Sequence, residues 1–339
     1  MSALDGKRLI RQDPPFAIQI ELTEGCNLAC SFCGIQGIRD NGANGPEKIR
    51  GKSSPPFKYL TIEKALIIAN RIVEAGWNPR IEFAMHGEPL LNKKYNTIFS
   101  IFRNALPKAS LQLTTNGVIL LNNPGPEKRI DDIMKSGINV IKLDSYVGVN
   151  AYKKIYKAIK GLDSFYDIKF YPSDKGAAPH ARRTPGKHDI IFVEDISESE
   201  SKTLEITNHA CCSFPPDSSC IGSKCAKPFR ELSIRWDGKV ALCCVDWRGY
   251  YKCGSVITSP LEKLWNNKRF NSARLKLYYG TRDFGPCLGC DLKSYRVGLL
   301  PDKKGKIDLP KATKEDEWII KKALKGEPYT KAIKRPWEK

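Results

Sequence analysis

The segment Cys26-Asn-Leu-Ala-Cys30-Ser-Phe-Cys33 places three cysteines within eight residues, directly after the apolar segment 16–22. Gly25 and Gly34 allow the loop to fold around an inorganic core. A [4Fe–4S] cluster takes four cysteine ligands, and this loop offers three. One iron would therefore stay open to an exogenous ligand, as in a catalytic metal site. The alternative is a zinc site that a distant histidine or cysteine completes.

Short apolar runs alternate with helix-period segments along the first half of the chain. We expect strands at residues 16–22, 81–85, 110–114, 140–144 and 166–171. The intervening helices are expected at 61–75, 93–105, 127–136 and 151–159. Thr61 is the expected N-cap of the first helix. Five or six such repeats imply right-handed crossovers and a parallel sheet, which is an α/β fold.

The pattern Cys-x3-Cys-x-aromatic-Cys after the first strand of a βα series resembles the signature of the radical S-adenosylmethionine (SAM) enzymes. Further motifs follow in the order that this family shows: His86-Gly87-Glu88-Pro89, Thr114-Thr115-Asn116-Gly117 and Lys142-Leu143-Asp144-Ser145. The resemblance covers about residues 14–190. It implies a partial (β/α)6 TIM-like barrel, with the cluster and SAM at the carboxyl ends of the strands.

The resemblance also implies roles for single residues. Gly87, Glu88 and Pro89 match the family segment whose backbone receives the methionyl amino group of SAM. His86 replaces the usual first glycine of that segment, which weakens the contact slightly and places an imidazole near the site in a packing or a catalytic role. The other expected SAM contacts are Phe32 to the adenine, and Thr115, Asn116 and Asp144 to the methionyl carboxylate or the ribose.

The chemistry that the resemblance implies follows from the open iron. SAM chelates that iron through its amino and carboxylate groups, and one electron from a flavodoxin-type or ferredoxin-type donor cleaves the S–C5′ bond. The resulting 5′-deoxyadenosyl radical abstracts hydrogen from the substrate. The protein contributes positioning and the exclusion of water.

A second set of cysteines brackets a predicted hairpin with the turn Trp236-Asp237-Gly238. Its spacing is Cys225-x17-Cys243 and Cys287-x2-Cys290, which could close a complete four-cysteine site. Taken alone, this spacing fits a zinc ribbon equally well. The region resembles the SPASM/twitch extension of radical SAM barrels, and four ligands indicate the short twitch form with one auxiliary [4Fe–4S] cluster.

Several residues near this site keep alternative interpretations. Cys243 and Cys244 are adjacent, so their side chains diverge in an extended segment and only one should ligate; we expect Cys243. Asp246 is a candidate substrate contact or a turn residue. The leftover cysteines are incidental buried thiols or part of a second auxiliary site: Cys211, Cys212, Cys220 and Cys253.

These observations predict four regions along the chain. Residues 1–190 are expected to form the radical SAM partial barrel, and residues 191–224 a connecting segment. Residues 225–295 are expected to form the small β-hairpin and twitch cluster domain, and residues 296–339 a basic C-terminal helix or tail.

Composition limits the compartment and the partners. No apolar run approaches the roughly 20 residues that cross a bilayer, and residues 1–12 lack a secretory signal, so we expect a cytoplasmic protein without a membrane partner. In that compartment thiols stay reduced, so a chain with twelve cysteines favours metal or cluster ligands over a disulfide framework. The net charge of +19 favours a polyanionic partner such as DNA or RNA.

Basic residues suggest where such a partner would bind. The loop 175–187 carries Arg182 and Arg183, which are candidates for the catalytic or substrate-binding set with Asp246 and His86. A stretch without acidic residues interleaves Tyr278 and Tyr279 with cations suited to phosphate contact: Lys268, Arg269, Arg274, Lys276 and Arg282.

Three functions are compatible with the sequence. The first is rearrangement or oxidation of a nucleic-acid-linked substrate, for example isomerisation of an amino-acid-decorated base in DNA hypermodification. The second is a SPASM/twitch peptide maturase or a small-molecule sugar or alcohol dehydrogenase. The third is a non-enzymatic zinc protein that binds nucleic acid, which would require the family motifs to be coincidental.

Metal content separates the third alternative from the first two. Anaerobically reconstituted protein should carry about eight irons, and changing Cys26, Cys30 and Cys33 together to alanine should leave about four. Iron, sulfide and zinc analysis of both proteins measures this. Stoichiometric zinc without iron–sulfur absorption would contradict the cluster assignment.

Overall fold

The computed structural model describes residues 13–28, 30, 33–35, 57–146, 149–162, 166–171, 190–195 and 224–292. Its strands are β1 (Ala17–Ile20), β2 (Thr23–Glu24), β3 (Lys58–Tyr59), β4 (Arg80–Phe83), β5 (Leu111–Thr115), β6 (Val140–Ser145), β7 (Asp167–Tyr171), β8 (Ile190–Asp195), β9 (Glu231–Ile234) and β10 (Val240–Ala241). Its α-helices are α1 (Ile62–Glu74), α2 (Tyr95–Ala105), α3 (Pro126–Lys135), α4 (Val149–Ile159), α5 (Lys227–Arg230), α6 (Leu261–Trp265) and α7 (Lys268–Tyr278). Short 3-10 turns lie at Pro89–Leu91, Val118–Leu121 and Lys160–Leu162.

Eight strands form one sheet in the order β10-β9-β1-β4-β5-β6-β8-β7, and β2 pairs with β3 in a separate small ladder. Every neighbouring pair in the large sheet is parallel except β9 with β10. The expected α/β class with a parallel sheet is therefore confirmed. At one edge the strand order does not follow the order along the chain, because β8 lies between β6 and β7. Strand β8 was not among the strands expected from the sequence.

Alternation along the strands separates an apolar face from a polar one. Ile18, Ile81 and Leu111 belong to the fully buried core with the helices, whereas Gln19, Glu82 and Gln112 are adjacent in register and only partly buried. Helix α1 covers the apolar face with residues spaced three or four apart, namely Ala65, Ile68, Ala69 and Ile72. The Thr61 hydroxyl caps α1 by accepting a hydrogen bond from the Lys64 amide at 3.3 Å, as expected.

The C-terminal region completes the same sheet. β9 pairs in parallel with β1, with Ala17 opposite Glu231 and Ile20 opposite Ile234. The chain then turns at Asp237 and Gly238 into the antiparallel strand β10, and the backbone of Gly238 has a φ of +83°. The hairpin predicted from the sequence is thus present, and it attaches the second cysteine region directly beside the first strand.

Two arginines of the basic stretch at 268–282 are structural. Arg274 is fully buried, donates to the carbonyls of Pro228 at 2.8 Å and Trp265 at 2.6 Å, and lies 4.1 Å from the centre of the Trp265 ring. Arg282 is also buried and donates to the carbonyl of Cys290 at 2.6 Å. The expectation that both contact phosphate is wrong, because their guanidinium groups stabilise the packing of the C-terminal helices and loop.

No helix within the described ranges is long and apolar enough to cross a membrane.

Removal of Arg274 should therefore destabilise the fold. Arg274→Ala leaves two buried carbonyls without donors and opens a cavity beside Trp265, so we expect unfolding to become easier by about 3 kcal/mol. Lys276→Ala is the matched control, since Lys276 is more exposed and pairs with exposed Asp283 at 2.8 Å. Chemical denaturation of both variants measures the difference, and equal stability would contradict the structural role of Arg274.

Candidate active site and auxiliary metal centre

The first cysteine loop follows β1 and β2, and its three thiols, Cys26, Cys30 and Cys33, are partly exposed. The Cys26 sulfur accepts a hydrogen bond from the Leu28 amide at 3.4 Å and one from Asn116 Nδ2 at 3.6 Å. Burial raises the pKa of the Cys26 thiol to about 12. A cationic iron would supply the charge that keeps such a thiol deprotonated, so the loop fits a cluster that binds through thiolates.

Glu88 organises the second and third motifs around this loop. Its backbone amide donates to the Gly25 carbonyl at 2.8 Å. Its buried carboxylate accepts hydrogen bonds from the Thr115 hydroxyl at 2.7 Å and from the Asn116 amide at 2.8 Å. Burial raises the pKa of Glu88 to about 6. The Glu88 side chain therefore holds the loop after β5, and its backbone amide holds the cysteine loop.

Gly87 brings its segment unusually close to the cysteine loop. Its φ is +86°, and a Cβ atom at this position would lie 2.3 Å from the Gly25 carbonyl oxygen and 2.5 Å from that of Thr23. Only glycine allows this approach of two backbones.

The remaining expected SAM contacts lie at the ends of β5 and β6. Asn116 donates through Nδ2 to Asn27 Oδ1 at 2.9 Å, which joins it to the cysteine loop. Asp144 is buried, with Lys142 Nζ at 3.2 Å and the Tyr146 hydroxyl donating to Oδ2 at 3.2 Å. The structure thus brings Thr115 and Asn116 to the cysteine loop and places Asp144 at the end of the neighbouring strand. Phe32, Arg182 and Arg183 lie outside the described residues, as do Cys211, Cys212 and Cys220.

Four cysteines of the second set line one pocket. Cys225, Cys243, Cys287 and Cys290 are all buried there. The other lining residues are Pro228, Leu242, Val245, Leu277, Pro286, Leu292 and Arg282. Burial raises the pKa values of these thiols, that of Cys290 to about 11. Thiols so buried among apolar groups ligate a metal when its charge compensates theirs.

Within the described part of the chain, no three histidine, cysteine, aspartate or glutamate side chains are grouped as ligands of a single metal ion. Four cysteine thiolates are the donor set of structural zinc and of iron–sulfur clusters alike, so the donor set of this pocket fits either group.

Cys244 and Cys253 lie in different surroundings. Lys227 Nζ donates to the Cys244 sulfur at 3.0 Å and to Glu231 at 2.9 Å, and the Cys244 sulfur is not part of the pocket lining. Cys253 is buried outside the pocket, and its carbonyl accepts from Asn267 Nδ2 at 2.6 Å.

Asp246 and His86 are both buried and hydrogen-bonded within the protein. The Asp246 carboxylate accepts from the amides of Tyr250 at 2.9 Å and Tyr251 at 3.1 Å, which is the geometry of the turn alternative. His86 contacts Glu21 through Nδ1 at 2.8 Å and the Cys244 carbonyl through Nε2 at 2.9 Å.

Sequence reasoning missed Lys227, Glu231 and Glu21, and it assigned Arg282 to phosphate contact rather than to this region. The spacing of Lys227 and Glu231, four residues apart just after Cys225, was a usable signal for the first pair. Contacts between distant segments place Arg282 and Glu21 near these sites, so local sequence spacing does not predict their positions.

The close approach at Gly87 gives a sharp test. Gly87→Ala forces the two backbones apart, and we expect SAM cleavage to fall at least about 100-fold because the segment expected to receive the methionyl end of SAM is displaced. Gly76→Ala is the matched control: its φ is +66°, but no atom lies within 4 Å of the added Cβ, so only backbone strain is introduced. Formation of 5′-deoxyadenosine by both variants measures the effect, and equal losses would contradict the role of Gly87.

Comparisons with known proteins agree with this geometry. Residues 20–166 match the model of the radical SAM superfamily. Residues 225–291 match SPASM, described as an iron–sulfur cluster-binding domain. The two domains imply a [4Fe–4S] cluster, SAM and an auxiliary iron–sulfur cluster as cofactors, which confirms the cofactors expected from the sequence.

Individual relatives are distant. The chain is 22% identical over 266 residues to the S-adenosyl-L-methionine-dependent 2-deoxy-scyllo-inosamine dehydrogenase of Niallia circulans, and the match covers 78% of this chain and 88% of that protein. It is 24% identical over 192 residues to a probable GTP 3′,8-cyclase of Methanocella arvoryzae, covering 54% of this chain and 50% of the cyclase.

A solved structure supports the fold. BtrN in complex with AdoMet and 2-DOIA matches with a TM-score of 0.61 at 18% identity, over 89% of this chain and 98% of BtrN. The two matched domains, the parallel sheet and the two sets of cysteines all agree, and the chain is a radical SAM enzyme that carries a SPASM domain.

Proposed function

We propose that this radical SAM enzyme is an oxidoreductase of the dehydrogenase type, which oxidises an alcohol carbon of a small hydroxylated substrate to a carbonyl. Conversion of an alcohol to a carbonyl removes one hydrogen atom, one further electron and one proton. When bound, SAM and the open-site cluster supply the hydrogen-abstracting radical, and the auxiliary cluster supplies an acceptor for the second electron.

The observation that carries this proposal is the buried pocket of four cysteines. We propose Cys225, Cys243, Cys287 and Cys290 as the auxiliary-cluster ligands, since all four are buried and line one pocket. Most of the other residues that line the pocket are apolar. A net oxidation needs an acceptor for the second electron, which a second redox centre can provide. A redox-neutral isomerisation needs no such acceptor.

We propose Cys26, Cys30 and Cys33 as the ligands of the open-site cluster. The backbone of Gly87 to Pro89 would bind the methionyl end of SAM, and Glu88 holds that backbone against the cysteine loop. The other proposed SAM contacts are Phe32, Thr115, Asn116 and Asp144. The electron donor would be a flavodoxin or a ferredoxin, which radical SAM enzymes generally use.

The polar face of the sheet supports a small, hydrogen-bonding substrate. Gln19 donates to Glu82 at 2.8 Å, and its own Oε1 is buried without a partner. The cations near this face are paired with carboxylates, as in Arg80 with Glu82 and Lys142 with Asp144. Such paired charges suit hydroxyl groups better than a run of phosphates. The relative from Niallia circulans is a dehydrogenase, and its match covers most of both chains.

A nucleic-acid-linked substrate is the second candidate, as in the isomerisation of an amino-acid-decorated base. The net charge of +19 favours it. Burial of Arg274 and Arg282 removes two of the cations first assigned to phosphate, so this candidate rests on the charge of the rest of the chain, including Arg182 and Arg183.

Isotope transfer distinguishes the two candidates. Reconstituted enzyme with SAM and reductant is given polyols and aminocyclitols deuterated at the alcohol carbons, and in parallel single-stranded oligonucleotides with and without decorated bases. We expect deuterium in 5′-deoxyadenosine and a carbonyl product from a polyol or aminocyclitol only. Turnover confined to oligonucleotides, with binding that weakens steeply between about 50 and 200 mM salt, would overturn the dehydrogenase proposal.

Paired cysteine variants test the auxiliary site within the same assay. Cys287→Ala should lose about four irons and the carbonyl product while retaining SAM cleavage. Cys253→Ala changes an equally buried thiol outside the pocket and should keep both clusters and full turnover. Loss of iron from the Cys253 variant, or its retention in the Cys287 variant, would contradict the ligand assignment.

A further inference from the structure

His86 connects the two parts of the molecule that the proposed function uses. It directly precedes Gly87 in the SAM-binding segment. Its Nε2 lies 2.9 Å from the carbonyl oxygen of Cys244, one residue after the proposed ligand Cys243. A single hydrogen bond therefore joins the residue before Gly87 to the residue after Cys243, although His86 and Cys244 are 158 positions apart in sequence.

The other ring nitrogen of His86 is also hydrogen-bonded. Nδ1 lies 2.8 Å from Oε1 of Glu21, and both side chains are completely buried. Glu21 also accepts a hydrogen bond from the Trp236 amide at 3.1 Å, so the end of β1 holds both His86 and the turn of the C-terminal hairpin. The His86 ring lies 4.4 Å from the Trp247 ring, which belongs to the segment that follows Cys243.

Packing alone does not account for this arrangement. Burying an imidazole and a carboxylate costs free energy unless both are hydrogen-bonded, and an apolar side chain would fill the same space without that cost. Both atoms that face the imidazole, a carboxylate oxygen and a carbonyl oxygen, are acceptors. Both hydrogen bonds of the imidazole, to Glu21 and to the Cys244 carbonyl, therefore form only when the His86 and Glu21 pair carries two protons.

We infer that His86 is a positioning residue that couples the SAM-binding segment to the auxiliary-cluster segment through its bond to the Cys244 carbonyl. This inference rests on the proposed function, since it takes Gly87 to Pro89 as the SAM contact and Cys243 as a cluster ligand. A movement of residues 243–244 would then shift the backbone at Gly87 through the bond between His86 and the Cys244 carbonyl. A movement of Gly87 on SAM binding would shift the auxiliary-cluster segment through the same bond.

Two amide substitutions separate the two bonds of the imidazole. In His86→Gln the amide nitrogen reaches the position of Nε2 and keeps a donor toward Cys244. In His86→Asn the shorter side chain reaches only toward Glu21. Trp247→Phe is the control, because it changes the aromatic ring that packs against His86 and leaves both hydrogen bonds of the imidazole in place.

The readout is independent of turnover. Each variant is made in full-length protein and also combined with alanine at Cys26, Cys30 and Cys33, so that the electron paramagnetic resonance spectrum of the reduced auxiliary cluster is seen alone. We expect His86→Asn to change that spectrum and to raise the dissociation constant for SAM in the otherwise unmodified enzyme about fivefold. His86→Gln and Trp247→Phe should resemble the parent protein in both measurements.

The outcomes separate this inference from the proposed function. A parent protein without an auxiliary-cluster signal would overturn the proposed function and the coupling with it. A normal parent signal that is unchanged in folded His86→Asn would overturn the coupling alone. If His86→Asn does not fold, His86→Phe serves instead: it keeps a ring of similar size but has no donor for the Cys244 carbonyl, and it leaves Glu21 with the Trp236 amide and Arg235 as partners. An unchanged spectrum in that variant would equally overturn the coupling.

Discussion

Parallel pairing between β1 and β9 brings the two cysteine regions of the protein together on one sheet. The first cysteine loop leaves the carboxyl end of β1, and the cysteine pocket is built around the helix and hairpin that flank β9. Because the two strands are neighbours, two metal-binding regions separated by almost 200 residues share one sheet. Glu21 at the end of β1 strengthens the junction by binding both His86 and the Trp236 amide.

Buried polar groups in this protein are used to hold segments together. Glu88 joins three motifs at the proposed SAM site, and Lys227 joins Glu231 to Cys244 beside the auxiliary pocket. Arg274 and Arg282 fasten the C-terminal helices and loop by donating to backbone carbonyls. In each case a charged group is removed from water, and directed hydrogen bonds offset the cost of burial. The net charge of the chain therefore overstates the cationic surface that is free to meet a polyanion.

The sequence predicted those parts of the fold that local periodicity and turn chemistry determine. The strands that became β1, β4, β5, β6 and β7, the Thr61 cap and the Asp237-Gly238 hairpin were all expected. The position of β8 between β6 and β7 was not, because strand order at a sheet edge depends on contacts between distant segments. For the same reason the burial of Arg274 and the two bonds of His86 required the structure, whereas cysteine spacing alone was enough to propose both metal sites.

We expect the enzyme to hold two clusters of different kinds, one open to SAM and one with a complete set of cysteine ligands. Mössbauer spectroscopy of protein reconstituted with isotopically enriched iron, with and without SAM, measures how many irons SAM reaches. A single iron of about eight should change its coordination when SAM is added, while all four irons of the auxiliary cluster keep theirs. A change at irons of both clusters, or at none, would contradict this expectation.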